Sequence, residues 1–197
     1  SFHPVKHIAT GEGGMVTTNN EELYNKLCLL RTHGITRDDN LLSENHGAWY
    51  YEMVDLGYNY RLSDIQAALG VSQIKRAAVQ LSKRMQIAEK YNRAFAEIDE
   101  IVTPFVSEKS THAYHLYVIQ VDARKELYDY LRGFNIFTQV HYIPVHTMPY
   151  YTKQMQEPPK MPVAEAYYQK CLSLPMFPTL TNDEQDFVIL KIKEFFK

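Results

Sequence analysis

The segment LGYNYRLSDIQAALG, Leu56 to Gly70, announces a long helix. Ser63 and Gln66 stand three residues apart. At that spacing a hydroxyl caps a free helix N–H while a side-chain carbonyl reaches back to the capping residue. Beyond them Ile65, Ala68, Leu69, Ala78, Leu81, Met85, Ala88, Tyr91, Phe95 and Ile98 recur at helical period on one face. The pattern predicts one helix from Ser63 to about Ile98, and a helix that long is expected to link two domains.

Toward the carboxy terminus the texture changes after Pro104. His115–Val121 reads as a strand, and Arg124–Arg132 as a helix capped by Asp122 and closed by Gly133. Ile136–Ile143 reads as a second strand. Met148–Pro162, with four prolines, is expected to be a loop. Val163–Leu172 then reads as helical and Leu174–Pro178 as extended. Thr181 with Glu184 caps a last helix with Val188, Ile192 and Phe195 on one side.

Toward the amino terminus, Glu21–His33 reads as a helix with Leu23, Leu27 and Leu30 on one face, stopped by Gly34. Met15–Thr18 is short and β-prone, and Ile35–Asp55 is aperiodic, as a long loop would be. The expected division is 1–62 as an edge of one domain, 63–100 as the linking helix, and 101–197 as a small α/β domain.

Lys plus Arg (21) nearly balance Asp plus Glu (23), so no strong field points to nucleic acid or an anionic membrane. No apolar run is long enough to span a bilayer. The two cysteines, Cys28 and Cys171, lie in apolar-periodic segments and read as buried thiols of a reducing, cytoplasmic compartment.

One loop carries chemistry. In SFHPVKHIATGEGGMVTTN, Ser1–Asn19, Lys6 follows a stiffening Pro4 and precedes Thr10, Gly11, Gly13 and Gly14. A lysine whose amine is kept neutral can form a carbon–nitrogen double bond with an aldehyde, while a serine hydroxyl and bare backbone amides suit a phosphate. An isolated lysine is more often a solvated charge, so these residues leave both readings open.

This loop, RTHG at Arg31–Gly34 and LGYNYRLSDIQAALG at Leu56–Gly70 together resemble the second half of the DegT/DnrJ/EryC1 nucleotide-sugar aminotransferases. The resemblance implies the carboxy-terminal part of a pyridoxal phosphate-dependent fold type I enzyme: an edge of its large α/β/α domain, a long linking helix and a small α/β domain. It implies that Lys6 bonds pyridoxal 5'-phosphate and that Ser1 donates to its phosphate. Asn59, by the same resemblance, reaches the phosphate of a neighbouring subunit, so that a homodimer shares its sites; by itself it reads equally as an asparagine in the turn before the Ser63 helix cap. A dehydratase branch carries histidine where this chain has Lys6, which favours amino transfer. The HPVK form and QVHYIPVH at Gln139–His146 look like the branch that aminates a UDP-linked 4-keto-6-deoxy amino sugar on the way to pseudaminic acid, with an amino-acid donor, expected to be glutamate. The family's acidic partner for the pyridinium nitrogen lies upstream of the lysine. The chain is therefore expected to be a carboxy-terminal half, incomplete as a catalyst, or alternatively an inactive folded or dimerising fragment.

His141, Tyr142 and His146 could line the sugar-nucleotide pocket, or could simply pack. As metal ligands they are unsuited, because an odd spacing in an extended segment turns the two imidazoles apart and Pro144 intervenes. Arg61 could meet a phosphate or carboxylate, or orient the turn before the helix. Arg31 and His33 are explained by the helix end, where cations meet the dipole. The tyrosines at 50, 51, 114, 117, 150 and 151 read as interface residues.

Overall fold

Asn20 opens helix α1 (Glu21–Leu30) by accepting the Leu23 N–H at 2.8 Å, and Glu21 and Glu22 occupy its positive end. The computed structural model of the chain describes every residue from Ser1 to Lys197 except Gln156 and Pro158. It divides within a long helix into two units, Ser1–Ala77 and Ala78–Lys197.

In the first unit α1 stops earlier than expected, at Leu30, because the backbone turns through His33 (φ 65°) and Gly34 (φ 67°) and the Gly34 N–H returns to Leu29 C=O at 3.0 Å. Gly34 is also forced by crowding: a Cβ there would lie 1.9 Å from the Asp55 carbonyl oxygen. The aperiodic stretch that follows is a hairpin with a long tip. Strands β1 (Ile35–Thr36) and β2 (Glu52–Met53) pair antiparallel, Ile35 opposite Met53 and Thr36 opposite Glu52. Met15–Thr18 is not a strand. Its residues have no ladder partner among those described, and Met15 and Val16 are exposed. The long helix, α2 (Asp64–Phe95), begins as its sequence demands: Ser63 N–H meets Gln66 Oε1 at 3.0 Å, and Gln66 N–H returns to Ser63 Oγ at 3.4 Å. It ends three residues short of Ile98, which turns back onto Phe95 C=O.

In the second unit, strand β3 (Tyr117–Gln120) is shorter than expected, and helix α3 (Arg124–Gly133) follows it. Asp122 does not cap α3. Ala123 is its N-cap, without a side-chain bond, and Asp122 pairs with Lys170 at 2.7 Å. Gly133 remains helical, and the left-handed turn falls on Asn135 (φ 59°), a residue whose short amide side chain tolerates it. Ile136–Ile143 is not a full strand: among the described residues only Gln139 pairs, with Ser173. Pro144 lacks the N–H a ladder needs.

The expected loop at Met148–Pro162 contains helix α4 (Pro149–Gln154), opened by a proline at its first position, where the missing N–H costs nothing. The part of that expectation on Gln156 and Pro158 lies outside the described residues. Helix α5 (Pro162–Lys170) ends before Cys171 and Leu172, which were expected in it. They open strand β4 (Cys171–Leu174) because pairing buries them fully against β3, with Tyr117 opposite Leu174 and Gln120 opposite Cys171. Helix α6 (Asn182–Phe195) starts on the capping box of Thr181 and Glu184.

This unit holds the core: Ile87, Ala88, Tyr91 and Phe95 of α2, Tyr117 and Ile119 of β3, Leu127 and Leu131 of α3, Leu172 and Leu174 of β4, and Val188, Ile189 and Ile192 of α6. Tyr114 and Tyr117 are therefore core residues and not interface residues. Tyr117 donates its hydroxyl to Asn92 Oδ1 at 2.6 Å, and its ring lies 4.9 Å from that of Tyr91. Cys171 is buried, whereas Cys28 is only half-buried. Among the described residues no helix is long and apolar enough to cross a membrane.

Candidate active site

Lys6 stands in a loop whose ends are tied together. Phe2 N–H donates to Gly13 C=O at 2.8 Å, and Thr10 N–H to Phe2 C=O at 2.9 Å. Thr10, buried, donates its hydroxyl to Glu12 C=O at 2.5 Å, and Gln66 Nε2 of α2 reaches the same carbonyl at 3.2 Å. The loop is thus fastened to the start of the long helix. Gly13 suits this packing: its φ is +137°, which side chains rarely adopt, and a Cβ would lie 2.8 Å from Leu62 Cδ1. Gly11 and Gly14 face open space, where a bound group can approach the backbone.

Within the loop Lys6 N–H donates to His3 C=O at 2.9 Å, and Ser1 Oγ accepts the His3 N–H at 3.4 Å. Both side chains are exposed, and Lys6 Nζ makes no hydrogen bond or ion pair with a described residue. A primary amine and a hydroxyl on one short fastened turn fit the aldehyde and phosphate ends of pyridoxal phosphate.

Asn59 is held by its backbone. It bridges Thr32, while Tyr58 N–H donates to Leu30 C=O at 2.6 Å and Tyr60 N–H to Arg31 C=O at 2.9 Å. The 57–60 strip lies so close to the end of α1 that a Cβ on Gly57 would meet Gly34 N at 2.0 Å. Asn59 and Arg61 are exposed, their side chains without a partner among the described residues, and Arg31 is likewise exposed. An open concavity of about 990 Å³ in this unit is lined by Leu23, Lys26, Cys28, Leu29, Ile35 and Leu41, among others, and includes none of the expected site residues.

In the second unit His141 and His146 go to different partners. His141 Nδ1 lies 2.8 Å from Ser173 Oγ, and burial pushes its pKa down, toward the neutral ring. His146 Nε2 lies 2.9 Å from Glu165 Oε1. Glu165 also accepts the Met161 N–H at 2.9 Å, and this bond first, then His146, holds its carboxyl below the usual range. Tyr142, between the two histidines, is exposed. Among the described residues no group of three metal-ligating side chains forms. Sequence reading missed Ser173 and Glu165. For Glu165 a signal existed, a carboxylate in the first turn after a helix-opening Pro162. For Ser173, inside a buried apolar strand, there was none.

The sequence profile of the DegT/DnrJ/EryC1/StrS aminotransferase family matches residues 1–193. The chain is 42% identical, over its whole length and 53% of the relative, to "Spore coat polysaccharide biosynthesis protein SpsC" of Bacillus subtilis (strain 168). It is 37% identical to the "UDP-4-amino-4,6-dideoxy-N-acetyl-beta-L-altrosamine transaminase" of Campylobacter jejuni subsp. jejuni serotype O:2, over 95% of this chain and 49% of that protein. Among solved structures, "Helicobacter pylori PseC, aminotransferase involved in the biosynthesis of pseudoaminic acid" superposes on all of this chain and 52% of its own, with a TM-score of 0.86 at 32% identity. The chain spans about half the length of the curated relatives it matches.

Proposed function

Because the chain belongs to the DegT/DnrJ/EryC1/StrS aminotransferase family, we propose that it is the lysine-bearing part of a sugar aminotransferase. The proposed reaction moves an amino group from an amino acid, glutamate in our reading, to a UDP-linked 4-keto-6-deoxy amino sugar. The observation that carries this reading is Lys6, an exposed amine free of described partners on a loop tied across its base and fastened to α2. When bound, pyridoxal phosphate supplies the electron sink for proton removal next to nitrogen. Lys6 Nζ would be the covalent anchor and, once released, would carry the proton from the donor's α-carbon to the cofactor, so that the amino group stays behind on it. Ser1 Oγ donates to the phosphate, and Asn59 does so from one protomer of a homodimer to the site of its partner. Arg61, His141, Tyr142 and His146 are assigned to the nucleotide sugar.

A second reading has its own observation. None of the large apolar side chains of the first unit is buried, and the chain spans about half of its relatives. A folded fragment without activity by itself would show both features. One experiment separates the two. The 197-residue chain and its Lys6→Ala variant are mixed with pyridoxal phosphate, dialysed and scanned for a retained visible absorbance band, then assayed with glutamate and the UDP-keto sugar. A band in the wild type that the variant lacks supports the lysine assignment. Turnover that survives Lys6→Ala would sink it, since removing an acid–base group of this kind should cost roughly 10²–10⁴-fold.

A further inference from the structure

The histidine segment is held at both ends by residues outside it. Ser173 sits in the middle of the small sheet, paired with Val118 of β3 on one side and Gln139 on the other, and is buried. Its hydroxyl meets His141 Nδ1 at 2.8 Å. Glu165 stands in the first turn of α5 and meets His146 Nε2 at 2.9 Å, its own carboxylate steadied by the Met161 N–H. Between the two pins Tyr142, Ile143 and Val145 are exposed and Pro144 restricts the backbone. A short turn at Val145–Thr147 closes the arch, with Thr147 N–H on Pro144 C=O and Met148 N–H on Val145 C=O.

We propose that Ser173 and Glu165 are positioning residues that hold His141 and His146 by one ring nitrogen each, so that the arch from 141 to 146 meets the nucleoside-diphosphate sugar as a preformed surface. This rests on the assignment of His141, Tyr142 and His146 to the nucleotide sugar.

The chemistry of the pins defines what the arch offers. A carboxylate only accepts, so Nε2 of His146 carries the proton, and in the neutral ring Nδ1 is left as an acceptor for a sugar or ribose hydroxyl. With Nδ1 of His141 taken up by Ser173, Nε2 is the nitrogen left to face a ligand. Tyr142, anchored from both sides, loses little further freedom when a base or sugar ring settles on it. Both pins stand on regular elements, which place a site group more tightly than a loop does.

The test is NMR on the 197-residue chain and on Glu165→Ala, Glu165→Gln, Ser173→Ala and Ser173→Thr. Imidazole nitrogen signals report the pins, and amide exchange at Thr147 and Met148 reports the arch. UDP is the ligand probe, followed at Tyr142. The wild type should show a slowly exchanging Nε2–H on His146. Glu165→Ala should lose it, speed exchange at Thr147 and Met148 roughly tenfold and weaken UDP by a similar factor. Glu165→Gln and Ser173→Thr, which keep an acceptor and a hydroxyl, should restore the wild-type pattern, and Ser173→Ala should release the His141 signals alone. Unchanged signals, exchange and UDP response in both alanine variants would overturn the positioning role. Locked rings with no response of Tyr142 to UDP would instead overturn the nucleotide-sugar reading of the arch, and with it the ligand half of this proposal.

Discussion

Glu52 gathers four donors on one carboxylate: Ser43 N–H at 2.8 Å and its hydroxyl at 2.6 Å, Glu44 N–H at 3.2 Å and the Tyr50 hydroxyl at 3.0 Å. The Ser43 hydroxyl leads in lowering its pKa from an ordinary 4.5 to about 2. A depressed carboxylate stabilises the fold fully above its unfolded value and loses that contribution as pH falls through the folded one. The tip between β1 and β2 should therefore hold its protection down to about pH 4.5 and loosen between there and pH 2. Amide exchange at Ser43 and Glu44, corrected for intrinsic pH dependence, measures this. In Glu52→Gln the pH dependence should vanish, and a variant that still loosens over the same interval would show that another group is responsible. Arg84 is the opposite case, a buried cation whose Nη1 donates to the carbonyls of Tyr114, His115 and Met176 at 3.0, 3.3 and 3.1 Å. Burial lowers its pKa. Arg84→Met leaves those carbonyls without their donor and should cost about 1–3 kcal/mol in denaturant unfolding. An unchanged midpoint would mean that water replaces the guanidinium.

Elements whose ends are chemically marked were legible in the sequence. Ser63 with Gln66 and Thr181 with Glu184 place the starts of α2 and α6, and both reciprocal bonds form. Thr181→Ala should destabilise the second unit by about 1 kcal/mol, and Thr181→Ser should recover most of it, as read from the thermal midpoint. Gly34 is equally decided by its surroundings. Gly34→Ala places a methyl against the Asp55 carbonyl in a left-handed backbone, and the 57–60 strip that carries Asn59 should lose amide protection. Protection equal to wild type at Tyr58 would mean that the strip does not depend on this contact. Elements set by tertiary pairing were not legible. Cys171 and Leu172 continue a helical-looking run, but burial between neighbouring strands overrides propensity. Ile136–Ile143 has strand composition, yet among the described residues it pairs at Gln139 alone. The candidate site divides the same way: motif resemblance is what singles out Lys6, Ser1 and Asn59 as candidates, whereas the contacts of Ser173 with His141 and of Glu165 with His146 span 32 and 19 residues of chain, which no local pattern encodes.

At the scale of the whole chain the two units differ in what they bury. Every large apolar side chain of the core belongs to 78–197, while Leu23, Trp49, Leu56, Tyr60, Ile65 and Leu69 of the first unit are exposed. Apolar burial is the main force that offsets chain entropy, so the first unit rests on backbone bonds and capping, with little apolar burial of its own. In the isolated 197-residue chain, amides of β3 and β4 should exchange only through global opening of the second unit. Those at Val54 and Tyr58 should exchange far faster, through local opening. Ile119→Ala should lower the second unit's stability by about 2–5 kcal/mol and speed exchange at β3 while leaving Val54 and Tyr58 unmoved. Exchange at Val54 as slow as at Ile119, and slowed or quickened together with it in the variant, would show one cooperative fold and refute this account of the first unit.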